Sequence, residues 1–561
     1  MRSNLRMTSN SRANRQTAQQ DRYEWPLQPP TIPAAWKKKF ATRRDIDYTV
    51  ENARHVDNWA DLQGFESAED YELRSGEKNA VLQYFMRSSN DPEDYESGIE
   101  PFCTRMSLWR LMNEKQGQDD DEEEDDKISV AWLDERSFKG GKMRSRPHRG
   151  PLKARQLYME LKKPRFANVG PAVPNRTRAK NQHRVPTVSP PSQDNVRTDI
   201  HPDADRRLIF ITNPDEWIVY ALIGTASHNQ VSALRDCLNK YVEFEALIDV
   251  TFSPIGLQTF QLSFHLPYYA WRSSAHAYED HRRDRNANPL RQTIDVSYLN
   301  IQNPSDKCFL YESQISCVIA GPDRWRWVAY GFVDTRFDTD PGKKESVYSI
   351  HEDLISKGAH MDPFTRGELE AEHPIQDPME YFLKVFRIRL LQVRREWKLI
   401  VKELRKALRA YEQETHQYSG NPRDMHPSTQ HNDPSSRNTV EKSRDWVVQT
   451  SKLSRKLYED LRETVDACKD FLTKKSFYFR SLSRSHESLS GIQSSLIKLE
   501  KLEKKIHSLA DNCERLSKGL ELQLVLETVN IRNNQYEVAQ HTRGLSVIML
   551  VSLAPFHNLD E

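Results

Sequence analysis

Leu499, Leu502, Ile506, Leu509, Cys513, Leu516 and Leu520 recur at steps of three and four. That spacing puts one apolar seam on a helix and demands a partner for it. The pattern can be extended from Ser485 to Ser552. A single helix of that length spans ~100 Å at 1.5 Å per residue. Gly491 and Gly519 inside it each cost about 1 kcal/mol relative to Ala, which so long a helix tolerates. After the seam comes a polar band, Asn530 to Tyr536 and Gln540 to Arg543. Gly544 to Phe556 then has no charged residue. A membrane-spanning helix needs ~20 apolar residues, so this segment by itself is too short to cross a bilayer.

The rest of the chain reads as soluble. Hydrophobic residues are 37% and charged residues 29% of 561, which excludes a polytopic membrane protein. The net charge of +1 points to no partner. Six scattered cysteines without a Cys-x-x-Cys favour buried thiols over a zinc ribbon or redox dithiol. Residues 1–20 carry Arg2, Arg6, Arg12 and Arg15 without an apolar stretch, the composition of a disordered tail rather than a secretory signal. Residues 21–112 contain scattered aromatics and a helical stretch over 68–86, and are expected to be partly folded. Residues 113–204 are expected to be a disordered linker. They begin with the uninterrupted acidic run Asp119–Asp126 and continue with fifteen Lys/Arg against one acid over 136–184, then a Pro-rich stretch. Such blocks stay solvated, and the two charge blocks can balance each other.

From residue 205 the pattern is globular. Leu208–Thr212 is a continuous apolar run, the mark of a buried strand. Asn213-Pro-Asp215 follows as a turn able to cap a helix. Val231, Leu234, Leu238, Tyr241 and Val242 have helical spacing, whereas Phe260, Leu262, Phe264 and Leu266 alternate as on a half-buried strand. Tyr311–Ala320 and Arg324–Val333 are again strand-like. The fold class expected for 205–370 is therefore α+β or α/β. Long helices follow over 378–543, broken at 415–440 and restarting near Trp446 and His486. The last of them is very long and coiled-coil-like.

The order of these features resembles the CorA-like divalent-metal transporters, including their zinc-transporting members. The local match is to their large fungal branch. It rests on Arg206-Arg-Leu-Ile-Phe-Ile-Thr-Asn-Pro-Asp-Glu-Trp217, Phe264-His-Leu-Pro-Tyr-Tyr-Ala-Trp-Arg272, Ser316 to Gly331, Pro378-Met-Glu-Tyr-Phe-Leu383 and Arg395-Glu-Trp397. Asn533-Asn-Gln, His541-Thr and Leu545-Ser-Val-Ile-Met-Leu550 resemble the approach to that family's first membrane helix. The resemblance implies a homo-oligomer, a pentamer in that family, with most of the chain cytoplasmic and the remainder in a membrane. It implies Mg2+ or Zn2+ as transported cargo, with no resident cofactor. Gly544, Leu545, Val547, Ile548, Leu550 and Val551 would start the membrane helix, cut short at Pro555 and the chain's end. The family's Gly-Met-Asn signature and second membrane helix are missing from these 561 residues. No ion-selecting or other metal ligand is therefore assigned, and transport by this chain alone is not expected.

The alternative is a soluble scaffold that oligomerises through Leu499, Leu502, Ile506, Leu509, Leu516 and Leu520. Intramolecular packing of the same seam is a third possibility. Nucleic-acid binding is not expected, because the basic segment lacks interleaved aromatics. Nor is an enzyme: the chain has no Gly-x-Gly-x-x-Gly, P-loop, His-Glu-x-x-His or Gly-x-Ser-x-Gly. His265, opposite Phe264 on its strand, reads as exposed or hydrogen-bonded. His351, Glu352, Asp353 and His360 fit no zinc spacing. Trp325, Trp327 and Tyr330 read as core.

Overall fold

The computed structural model describes residues 40–75, 77, 79–87, 98–103, 106–113, 130–139, 142–147, 149–167, 202–252, 258–284, 286–301, 305–338, 347, 360–418, 434–480 and 485–552. Six short helices come first: α1 (Tyr48–Asn52), α2 (His55–Leu62), α3 (Ala68–Ser75), α4 (Ala80–Arg87), α5 (Ile99–Cys103) and α6 (Leu108–Asn113). β1 (Val130–Lys139), β2 (Lys142–Ser145), β3 (Arg149–Leu152) and α7 (Ala154–Leu161) follow. Next are β4 (Arg206–Thr212), α8 (Glu216–Ile223), α9 (Val231–Val242), β5 (Leu247–Phe252), β6 (Phe260–Ser273), β7 (Thr293–Asp295), β8 (Cys308–Gly321) and β9 (Trp327–Val333). Three long helices complete the fold: α10 (Pro378–Tyr418), α11 (Pro434–Asp470) and α12 (Ser485–Ser552).

The strands form one mixed sheet in the order β2-β1-β4-β9-β8-β6-β5, with β3 beside β1 and β7 beside β8. Among the described residues only β4 and β9 pair in parallel; the other strand pairings are antiparallel. Both faces of the sheet are covered, which explains why β4 reads as a continuous apolar run. Ile209 and Ile211 face the shorter helices, in a core with Leu157, Leu222 and Leu238. Leu208 and Phe210 face the opposite core, with Phe264, Trp397, Leu457 and Ile492 from β6 and the three long helices. Period-two alternation divides neighbouring residues between two cores. Asp215 caps α8 by accepting from Ile218 N at 2.9 Å. Burial pushes its carboxyl up to about 7, against the pull of that N–H.

Several expectations need correcting. The linker expected over 113–204 does not hold for 130–167, which is β1–β3 and α7. A charge count over 136–184 left out Asp134 and Glu135, which lie just outside that window and pair with arginines inside it. Arg136 and Arg206 both reach Asp134 at 2.9 Å, and Arg146 reaches Glu135 at 3.0 Å. The sheet domain thus begins before residue 205, and the helices of 48–113 pack onto it. The stretch 68–86 is two helices, not one. The break at 415–440 is shorter than expected, because α10 runs to Tyr418 and α11 starts at Pro434. Trp327 and Tyr330 are core, but Trp325 is 37% exposed, stacked on Phe138. The tail at 1–20, the acidic run and His351–Asp353 lie outside the described residues.

Charges are also buried under the sheet. Asp334, at the end of β9, meets Arg282 at 2.8 Å and Arg291 at 3.0 Å, and accepts from Tyr241 Oη and Gln314 N. Asp280 pairs with Arg282 at 2.7 Å and Arg336 at 3.3 Å. His265 is buried and hydrogen-bonded to Ser316 Oγ at 2.9 Å, so of the two readings for it the hydrogen-bonded one applies.

A histidine pair ties the first helices to the sheet domain. His55 is buried against Tyr84, with its Nδ1 3.2 Å from Nδ1 of His228. Burial, then His228 and Arg235, lowers its pKa from 6.5 to about 4. The folded state thus resists protonation that the unfolded chain accepts. Its stabilisation is complete above pH 6.5 and is lost as pH falls from about 6.5 to about 4. The amount is up to ~3 kcal/mol, at about 1.4 kcal/mol per unit. Melting curves of wild type and His55→Gln at pH 7.5 and 4.5 check this; the variant should show the smaller acid-induced drop.

Candidate assembly surface

α10, α11 and α12 form a three-helix layer under the sheet. α11 runs antiparallel to α12, as Arg444–Glu521, Arg455–Glu514 and Lys469–Glu500 show. The seam belongs to this layer. Leu499 and Ile506 are fully buried and Leu502 nearly so, in the core shared with α10, α11 and the sheet. Leu509, Leu516 and Leu520 are partly buried against Leu408, Tyr411, Val447 and Cys513. The Cys513 thiol is pushed up to about 11 by burial. Of the alternatives for this seam, intramolecular packing is present: the chain's own helices α10 and α11 lie along it.

Beyond Leu520, α12 continues for 32 residues (520 to 552), ~48 Å at 1.5 Å per residue. Leu524, Glu527 and Ile531 are half-buried and continue the line of the seam. A second apolar line lies on the other side. Leu522, Val525, Leu526, Val529 and Tyr536 are 66%, 59%, 63%, 46% and 66% exposed. Leu522, Val525, Val529 and Tyr536 follow at steps of three, four and seven, half a turn from Leu520. One helix thus has one edge held inside the chain and the opposite edge apolar and open. Sequence reasoning missed this line because the seam's regularity masked it; the same three-four spacing, read from Leu522, would have revealed it.

Towards the C-terminus, Val538, Leu545 and Met549 are also exposed. Gly544 has open space around it. The helix continues through Val547, Ile548, Leu550 and Val551, whose side chains lie outside the described residues. Among the described residues no helix is long and apolar enough to cross a membrane. Nor does any group of three or more His, Cys, Asp or Glu among them have the arrangement to hold a metal ion. His360 is half-buried at an isolated bridge segment, apart from any such group. No family model matches this chain, and no curated protein matches it.

Proposed function

We propose that this chain is a CorA-like protein, a cytoplasmic domain and stalk from a divalent-metal transport assembly. The observation that carries the reading is the open apolar edge of α12, Leu522 to Tyr536, leading to the uncharged segment Gly544–Phe556. Equivalent edges of several copies would pack together and gather the apolar segments at one end. The extra width given by Leu526 favours more than two strands, since a dimer buries only a narrow seam. In such an assembly hydrated Mg2+ or Zn2+ passes by channel-like permeation, drawn by acidic side chains and carbonyls. Without the Gly-Met-Asn signature, these 561 residues alone are expected to leave Mg2+ uptake into proteoliposomes at background.

Sedimentation equilibrium tests the assembly. Wild type should exceed twice the 65.6 kDa chain mass. Leu522→Glu with Val529→Glu should return it to monomer, because each site loses about 1.5–3 kcal/mol of apolar burial per copy. Glu is a good helix former, so the helix survives the change. A wild-type monomer at all concentrations would sink the reading.

The second reading is a soluble oligomeric scaffold. It is favoured by the lack, among the described residues, of a membrane-length helix. Flotation with liposomes separates the two: an oligomer that stays with the soluble fraction is the scaffold.

A further inference from the structure

α10 and α11 turn their buried sides towards each other. Tyr411 of α10 stacks on Trp446 of α11 at 4.5 Å, and Trp397 and Asp460 meet the same tyrosine of β6, Tyr269. Their outer flanks therefore face opposite ways, and the two flanks carry opposite charge. On α10, Arg395, Lys398, Lys402, Lys406 and Arg409 are exposed. Each lies two residues from buried Trp397, Ile400, Leu404 or Ala407, and so projects about 200° round the helix from the core. On α11, Glu459, Glu463, Asp466 and Asp470 are exposed, each two residues from fully buried Leu457, Leu461 or Cys468.

Each flank is crowded by its own sign. Burial, then Arg395, holds the Arg394 guanidinium below its ordinary range. Burial, then Asp460, Glu245 and Glu459, pushes the Glu463 carboxyl up. Ion pairs within each flank compete only weakly. Lys402 has Glu403 at 3.5 Å, Asp466 has Lys469 at 3.3 Å and Arg462 at 3.6 Å, and Asp470 has Lys474 at 2.8 Å. These lie at the surface, where such pairs contribute little and exchange partners readily.

The two rows also stand at one height, with α12 as the scale. α10 runs parallel to α12: Arg387 meets Glu487 at 3.1 Å and Asn512 donates to Glu412 at 3.1 Å, an offset of one hundred residues in both pairs (387 against 487, 412 against 512). α11 runs antiparallel to it, with Arg455 on Glu514 and Lys469 on Glu500. Arg455 is thus level with Glu414 of α10, and Lys469 with Ile400. Counting along α11 from these marks sets Glu459, Glu463, Asp466 and Asp470 level with Arg409, Lys406, Lys402 and Lys398, each to within one residue, ~1.5 Å of rise.

These charges select a partner. Two copies joined through the same flank would set basic on basic or acidic on acidic, which repels. The basic flank of one copy against the acidic flank of another attracts. Rotation about an axis parallel to the helices moves no copy along that axis, so charges paired this way must share a height, as these do. We propose that the α10 flank of each copy docks on the α11 flank of the next copy of this chain, head to tail, in a closed ring. The proposal rests on the assembly reading above, but on residues other than its apolar edge.

Sedimentation of charge variants of the full chain tests this. Lys402→Glu with Lys406→Glu reverses the basic flank, and Glu459→Lys with Glu463→Lys reverses the acidic one. Lys and Glu are both good helix formers, so the helices survive either change. At low salt each pair should weaken association at least about tenfold, because attraction becomes repulsion. All four changes in one chain should restore it, since the reversed flanks again meet as opposites. Zero-length carbodiimide coupling of mixed light and heavy isotope-labelled chains should join Lys402 or Lys406 of one chain to Glu459 or Glu463 of another. These links should vanish in ~1 M salt, where the screening length is ~3 Å. A wild-type oligomer that neither pair weakens, or that the fourfold variant fails to restore, would overturn the docking and leave assembly through the apolar edge of α12 standing. Links found only within one chain would overturn it too. A wild-type monomer would remove both readings.

Discussion

Replacing Asp334 with alanine is expected to destabilise the protein by about 4 kcal/mol, because removing one partner leaves buried charge uncompensated. Asp334 is fully buried, with Arg282 and Arg291 on its two oxygens and Tyr241 and Gln314 donating to it. Burial opposes its ionisation, but Arg282, Arg291 and Arg336 outweigh burial and hold the carboxyl well below the usual carboxylate range. The contribution is therefore fully present above pH ~4, the ordinary carboxylate range, and is lost on acidification below it. Asp334→Asn keeps the shape and removes the charge. Chemical denaturation at pH 7 should find both variants strongly destabilised; an Asn variant as stable as wild type would mean that shape, not charge, matters here.

Trp397→Ala is expected to cost about 4 kcal/mol, the usual range for a large aromatic removed from a packed core. Trp397 is fully buried on α10 and meets Tyr269 of β6 edge to face at 5.9 Å. It joins the long helices to the sheet. Its Nε1 is buried without a hydrogen-bond partner among the described residues. Trp397→Phe removes that unpaired donor along with part of the ring, so it should cost less than about 1.5 kcal/mol. Denaturation midpoints of the two variants check the contrast, and equal losses would show that the indole N–H is not orphaned.

Much of the fold is legible in local pattern. β4, α9 and β6 form where the apolar period changes between continuous, helical and alternating. Each element buries one or both faces, and its residues advertise which. α12 is legible for the same reason. The region 130–167 is less legible, because β2 and β3 have only four residues each and β1 carries charges in its second half. The fold brings Arg206, Arg207 and Arg146 to Asp134 and Glu135 of β1, and Asp205 to the Phe138 N–H. Composition counts charges along the chain, whereas ion pairs form across it.

The assembly surface divides in the same way. Spacing alone determined that α12 is a long helix with an apolar seam ending in an uncharged segment. Only the tertiary structure decided what the seam does. α10 and α11 return alongside α12 as far as about Leu520, so Leu499 to Leu520 are spent inside the chain. The opposite edge, Leu522 to Tyr536, stays open. An apolar stripe specifies that it must be covered, because water is expelled from it. It does not specify by what, since the hydrophobic effect has no direction; the neighbouring helices settle that.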